Sequence, residues 1–160
     1  MSTATASRTQ QRLAAEGTGT PFVWLHASCV QLAGTGILLL GPSGSGKSDI
    51  ALSLIDAGAT LVADDQVRVE CCEGRLFAGP AQALAGLLEV RGMGILRLPC
   101  CARTPLGLAV ELDAIGPWPR LPEPTTYEVL GVGLRHVRLD PRAPSACAKI
   151  RVALAAERVA

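Results

Sequence analysis

The densest chemistry in this sequence lies between Gly41 and Ser48, which read Gly41-Pro42-Ser43-Gly44-Ser45-Gly46-Lys47-Ser48. This run satisfies G-x-x-x-x-G-K-[ST], the P-loop or Walker A pattern. Its glycines allow the backbone turns that aim successive N–H groups inward, and a following helix adds the positive end of its dipole. Lys47 would then reach β- and γ-phosphates, and the Ser48 hydroxyl would ligate Mg²⁺. The chain holds 13 arginines but only two lysines, Lys47 and Lys149, so a lysine here is not a product of abundance.

Acids follow downstream. Asp64 and Asp65 close the segment "TLVADD", where a carboxylate could bind Mg²⁺ or take a proton from an attacking hydroxyl. A polar turn of solvated acids is equally compatible with them. Adjacent residues on a strand face opposite ways, so the two are expected to do different jobs. Glu89 and Arg91 in "LLEVRGMGI" lie two apart and would share a strand face. They could serve as an acid for metal and a guanidinium for phosphate, or form an ordinary surface ion pair. His26 by itself carries no assignment.

These groups need elements to hold them. "FVWLHASCVQL" (22–32) reads as a strand, and "ILLL" (37–40) as a short buried strand ended by glycine. From Ser48, the residues Ile50, Ala51, Leu54 and Ile55 fall at helical spacing, with Gly58 at a C-terminal cap. "TLVA" is a buried strand, and "QVRVEC" and "LFAG" form a hairpin about "EGR". "LGLAVELD" and "YEVLGVGLRHVRLD" supply more strands, residues 115–124 with four prolines a loop, and the C-terminal stretch after Ser145 an amphipathic helix. Strands outnumber helices around one strand–loop–helix–strand unit, which predicts an α/β domain on a mixed sheet. In such a unit Asp64 and Asp65 lie on the same sheet edge as the phosphate loop.

At 160 residues the chain is one domain in size, and 49% hydrophobic with 18% charged residues predicts a packed body. Aromatics are only 3%, so the core is built from Ala, Val, Leu and Ile. The net charge of +1 argues against a broad nucleic-acid surface, and no apolar run reaches membrane-helix length. Residues 1–20 lack the apolar core of a secretory signal and read as a disordered leader before a domain at 21–160. The six cysteines include two adjacent pairs but no Cys-x-x-Cys, so reduced thiols in the cytoplasm are expected.

Three motifs in order, "GPSGSGKS", "LVADD" and "LLEVRGMGI", with His26 ahead of them, resemble the C-terminal catalytic domain of the HPr kinase/phosphorylase family. The resemblance runs over about residues 22 to 155 and is concentrated between His26 and Ile95. It implies a P-loop kinase domain similar to HPr kinase and phosphoenolpyruvate carboxykinase. The implied activity uses ATP and Mg²⁺ to phosphorylate a serine on an HPr-like phosphocarrier protein of a phosphotransferase system. The family also runs the reverse phosphorolysis and assembles as a hexamer. By this resemblance Lys47 binds phosphate, Ser48 and Glu89 ligate Mg²⁺, Asp65 is the base, and His26 stands beside the acids. Asp64 is assigned to the metal side, and Arg91 and Arg120 (in "PWPRL") to the phosphate charge.

The chain also departs from the family pattern. A glycine-rich "FGAGA" stretch is missing between Pro99 and Leu106, and "VRLDPRAPS" replaces the late "VPV-x-x-GRN", leaving Arg142 a loose counterpart. The alternatives are a P-loop kinase for a small molecule and an ATP-sensing module with reduced catalysis.

Overall fold

The computed structural model describes residues 2–5, 11–14 and 19–159, the first two stretches as backbone alone. In chain order its strands are β1 (Ser2–Thr5), β2 (Gln11–Ala14), β3 (Phe22–His26), β4 (Ser28–Leu32) and β5 (Thr35–Leu40). Helix α1 (Lys47–Asp56) precedes β6 (Thr60–Ala63), β7 (Gln66–Cys72), β8 (Arg75–Pro80), β9 (Leu87–Val90) and β10 (Gly94–Arg97). Then come β11 (Thr104–Leu112), β12 (Thr125–Val129), β13 (Val132–Leu139) and α2 (Ala146–Ala155). The leader expected at residues 1–20 lies in part outside the described residues. Within it, β1 pairs in parallel with β12, and β2 pairs antiparallel with β3.

Eleven strands join into one sheet, and β9 with β10 makes a separate hairpin. The joint is β11. Its first residues, Thr104 and Pro105, pair antiparallel with β8, whereas Leu108 to Glu111 pair in parallel with both β5 and β13. One arm runs β8–β7–β3–β2, and the other spreads β6–β4–β5–β11–β13–β12–β1.

Both faces of the second arm are covered, so its central strands must be apolar on both sides. In β5 the alternation is plain. Leu38 and Leu40 join Val23, Leu25, Val67, Val69 and Tyr127 in a core between the two arms. Ile37 and Leu39 instead pack with Ile50, Leu54, Leu108, Val110 and Ile150 beneath the helices. Leu38, Leu39 and Leu54 are wholly buried, each contributing about 1.5–3 kcal/mol by leaving water.

The predicted strand over 22–32 is two strands. β3 pairs with β7 in one arm and β4 with β5 in the other, so the chain changes arms at the buried Ala27. The predicted helix is present, and Gly58 (φ +109°) donates its N–H to the Ile55 carbonyl at 3.0 Å as a left-handed cap. The predicted hairpin turns on a positive-φ pair, Glu73–Gly74 between β7 and β8, and a second hairpin, β12 with β13, turns the same way on Leu130–Gly131. Ser145 does precede α2, but its side chain makes no capping bond.

Candidate active site

Because β5 and β6 are both antiparallel to β4, their carboxyl ends reach the same edge of the sheet. The phosphate loop leaves that edge after β5, and Asp64 and Asp65 leave it after β6. The predicted shared edge is therefore present, with β4 inserted between the two strands. Ser28, the first residue of β4, stands in the gap and is fully buried.

The loop takes the backbone its glycines allow. Gly41, Gly44 and Gly46 have φ of +148°, +79° and +97°. A Cβ on Gly41 would meet the Ser45 hydroxyl at 2.5 Å and the Leu112 carbonyl at 3.1 Å, so no larger residue fits. Gly46 caps α1, and Lys47 is its first residue. Lys47 is only 7% exposed, and its Nζ donates to the Gly41 carbonyl at 2.8 Å and the Pro42 carbonyl at 2.9 Å. Burial lowers its pKa, and the carboxylates of Asp65 and Asp64 act against that shift.

A polar cavity of about 210 Å³ opens beside the loop. His26, Ser43, Gly44, Gly46, Lys47, Ser48, Asp64, Asp65, Glu89 and Arg91 all line it, with Ser28 and Asp49. The fold thus gathers nearly every residue singled out in the sequence. Asp64 is the hub: it accepts from the Ser28 hydroxyl (2.7 Å), the Ser48 hydroxyl (3.0 Å) and the Glu89 backbone N–H (3.3 Å).

Asp65 faces the same cavity, contrary to the opposite faces expected of neighbours on a strand. The strand stops at Ala63, and Asp65 adopts a left-handed φ of +67° that swings its carboxylate back. Such a conformation is costly for most residues and milder for Asp. Asp65 lies 3.2 Å from His26 Nδ1, while His26 Nε2 is 3.3 Å from the Ser43 hydroxyl. The histidine therefore ties the acid to the loop. Glu89 on β9 and Arg91 in the turn after it reach the rim without an ion pair between them among the described residues.

Arg120 is not brought to this cavity. It is exposed in the proline-rich stretch between β11 and β12, whose prolines lack the N–H groups that would tie it to the sheet. Ser28 went unnoticed in the sequence. Its signal was the small polar residue two positions after His26, interpretable only once β3 and β4 separate.

A second cavity, of about 860 Å³, lies across the loop from Asp64 and Asp65. The carboxyl ends of β5, β11 and β13 build it, through Leu40, Glu111, Leu112 and Pro141, with Tyr127 from β12.

The first cavity suits a bound anion with a hard cation. Ser48 and Asp64 offer oxygen ligands side by side, Glu89 a further carboxylate, and Lys47 and Arg91 positive charge. Among the described residues no three His, Cys, Asp or Glu side chains form a metal cluster. A cation there would therefore draw ligands from the anion too, as Mg²⁺ commonly does.

The model of the HPr serine kinase C-terminal domain matches residues 20–101, just over half of the chain and every residue of the first cavity. The chain belongs to this family. It is 47% identical over 93 residues to an HPr kinase/phosphorylase of Clostridium tetani, covering 58% of this chain and 29% of that protein. A Clostridium acetobutylicum HPr kinase/phosphorylase is 46% identical over 126 residues, covering 74% of this chain and 40% of its own length. One from Treponema pallidum is 41% identical over 80 residues, at 49% and 25% coverage. The matches thus span between a quarter and two fifths of these curated relatives. The fold matches the HPr(Ser) kinase/phosphatase structure from Coxiella burnetii with a TM-score of 0.72. That match has 22% identity and covers 81% of this chain and 91% of the other. The mixed-sheet α/β kinase fold expected from the sequence is therefore shown. No described helix is long and apolar enough to cross a membrane.

Proposed function

We propose that this domain, over residues 21–160, is an ATP- and Mg²⁺-dependent kinase that phosphorylates a serine on an HPr-like phosphocarrier protein. The observation carrying this reading is the convergence of Lys47, Ser48, Asp64 and Asp65 on one small polar cavity. The names of its relatives supply the acceptor.

The residues divide the work by position. Loop N–H groups and Lys47 hold the phosphates, and for that Lys47 must exchange its two carbonyl partners for phosphate oxygens. Ser48, Asp64 and Glu89 would hold Mg²⁺, which when bound neutralises charge on the transferring phosphoryl group. Asp64 is already anchored by Ser28, so its carboxylate stays aimed at the cation site. Asp65 accepts the proton of the attacking serine hydroxyl, and His26 fixes its direction relative to the loop. A reverse phosphorolysis would use the same carboxyl as acid, and Arg91 at the rim would meet the incoming phosphate.

The test is incubation with ATP, Mg²⁺ and the HPr-type carriers of the same cell, followed by intact mass. One added phosphoryl group on serine is expected. Bound ATP with no transfer to any carrier would turn the reading toward a nucleotide sensor or a small-molecule kinase.

A further inference from the structure

We propose that the second cavity receives the ribose and base of the nucleotide whose phosphates occupy the loop, and that Ile115 and Tyr127 are the contacts that read it. This rests on the phosphate-loop reading above. The cavities share Ser43, Gly44, Gly46 and Asp49, so one ligand can pass from one to the other along the loop. The first, at about 210 Å³, has room for phosphates and an attacking hydroxyl, and a nucleoside must lie elsewhere. The second, at about 860 Å³, is in the range of small-molecule sites.

Its position and its lining both fit. It sits at the carboxyl ends of parallel strands, where open α/β sheets place ligands. Leu40, Leu112 and Pro141 give apolar walls for a planar base. Ile115 is 90% exposed at the rim, an apolar side chain that no described residue covers. Tyr127 is 5% exposed, yet its buried hydroxyl has no hydrogen-bond partner among the described residues, and neither does the Ser45 hydroxyl in the same lining. Such orphans are uncommon and are costly when left unmet. The Glu111 carboxylate can only accept, which matches ribose hydroxyls and the exocyclic amine of adenine. His136 Nε2, 3.1 Å away, holds that carboxylate in place.

Calorimetry of the full chain in Mg²⁺ compares ATP with inorganic tripolyphosphate, for the wild type, Ile115→Ser and Tyr127→Phe. ATP is expected to bind at least about tenfold tighter than tripolyphosphate. Each variant is expected to weaken ATP about three- to tenfold and leave tripolyphosphate unchanged. Ile115 lies outside the core, and Tyr127→Phe only removes a hydroxyl that has no partner among the described residues, so an unchanged melting temperature should accompany the loss. The proposal is overturned if tripolyphosphate binds as tightly as ATP, or if neither variant changes ATP affinity. If neither probe binds the wild type, the phosphate-loop reading itself fails, and the nucleoside site with it.

Discussion

On one side of the phosphate loop stand Ser28, Lys47, Ser48, Asp64 and Asp65, and on the other Leu40, Leu112, Ile115, Tyr127 and Pro141. The first set lies within the stretch that matches the family model, whereas all of the second except Leu40 lies beyond it. The polar side is knitted by hydrogen bonds that fix each group's direction, as transfer chemistry needs. The other side is wide and partly apolar, with two hydroxyls that have no partner among the described residues, as a binding surface tolerates. The loop separates a small polar cavity from a wider, partly apolar one, and on the roles proposed above substitutions on the two sides should fail differently.

The sharpest way to break that division is Asp65→Asn. Phosphoryl transfer should fall about 10²- to 10⁴-fold while ATP affinity is retained, read from phosphoserine formation beside calorimetry. An equal fall in binding would mean that Asp65 holds the nucleotide instead of the proton.

Lys47→Met should weaken ATP and tripolyphosphate alike, by about 10- to 100-fold, because a charge-assisted contact to phosphate serves both. A loss confined to ATP would place the lysine on the nucleoside side and undo the division.

Ser43→Ala removes the hydroxyl partner of His26 Nε2 and should slow transfer about two- to fivefold with little change in ATP affinity. An unchanged rate would show that the histidine needs no tether to the loop.

The smallest effect belongs to Glu70, remote from both compartments. Its hydrogen bond to Arg103, with Arg68 adding, holds its carboxyl below the usual range. A depressed carboxyl contributes stability above the ordinary carboxylate range and loses it as pH falls through the folded value. Glu70→Gln should therefore flatten the acid limb of a melting-temperature profile, by no more than about 1 kcal/mol, without altering ATP binding or transfer. A shift in activity would contradict the separation of this patch from the loop.

Much of the fold was legible because its signals are local. The apolar run at 37–40, the helical spacing after Ser48 and the turn glycines at 58 and 74 each dictate a conformation within a few residues. The break at Ala27 and the double role of β11 were not legible. Each depends on pairing between segments far apart in the chain, and no local periodicity encodes which partner a strand takes.

The site divides in the same way. By itself the sequence determined the loop proposed to cradle phosphate, since its glycines, lysine and serine act through backbone freedom and fixed spacing. It also named Asp64, Asp65, Glu89 and Arg91. Only the tertiary structure decided that both acids face one cavity, because a left-handed turn at Asp65 follows strand pairing that ends at Ala63. It alone inserted Ser28 beside Asp64, left Arg120 outside the cavity and hollowed the space around Tyr127. Distances across a sheet are set by the order and register of its strands, and those are properties of the whole chain.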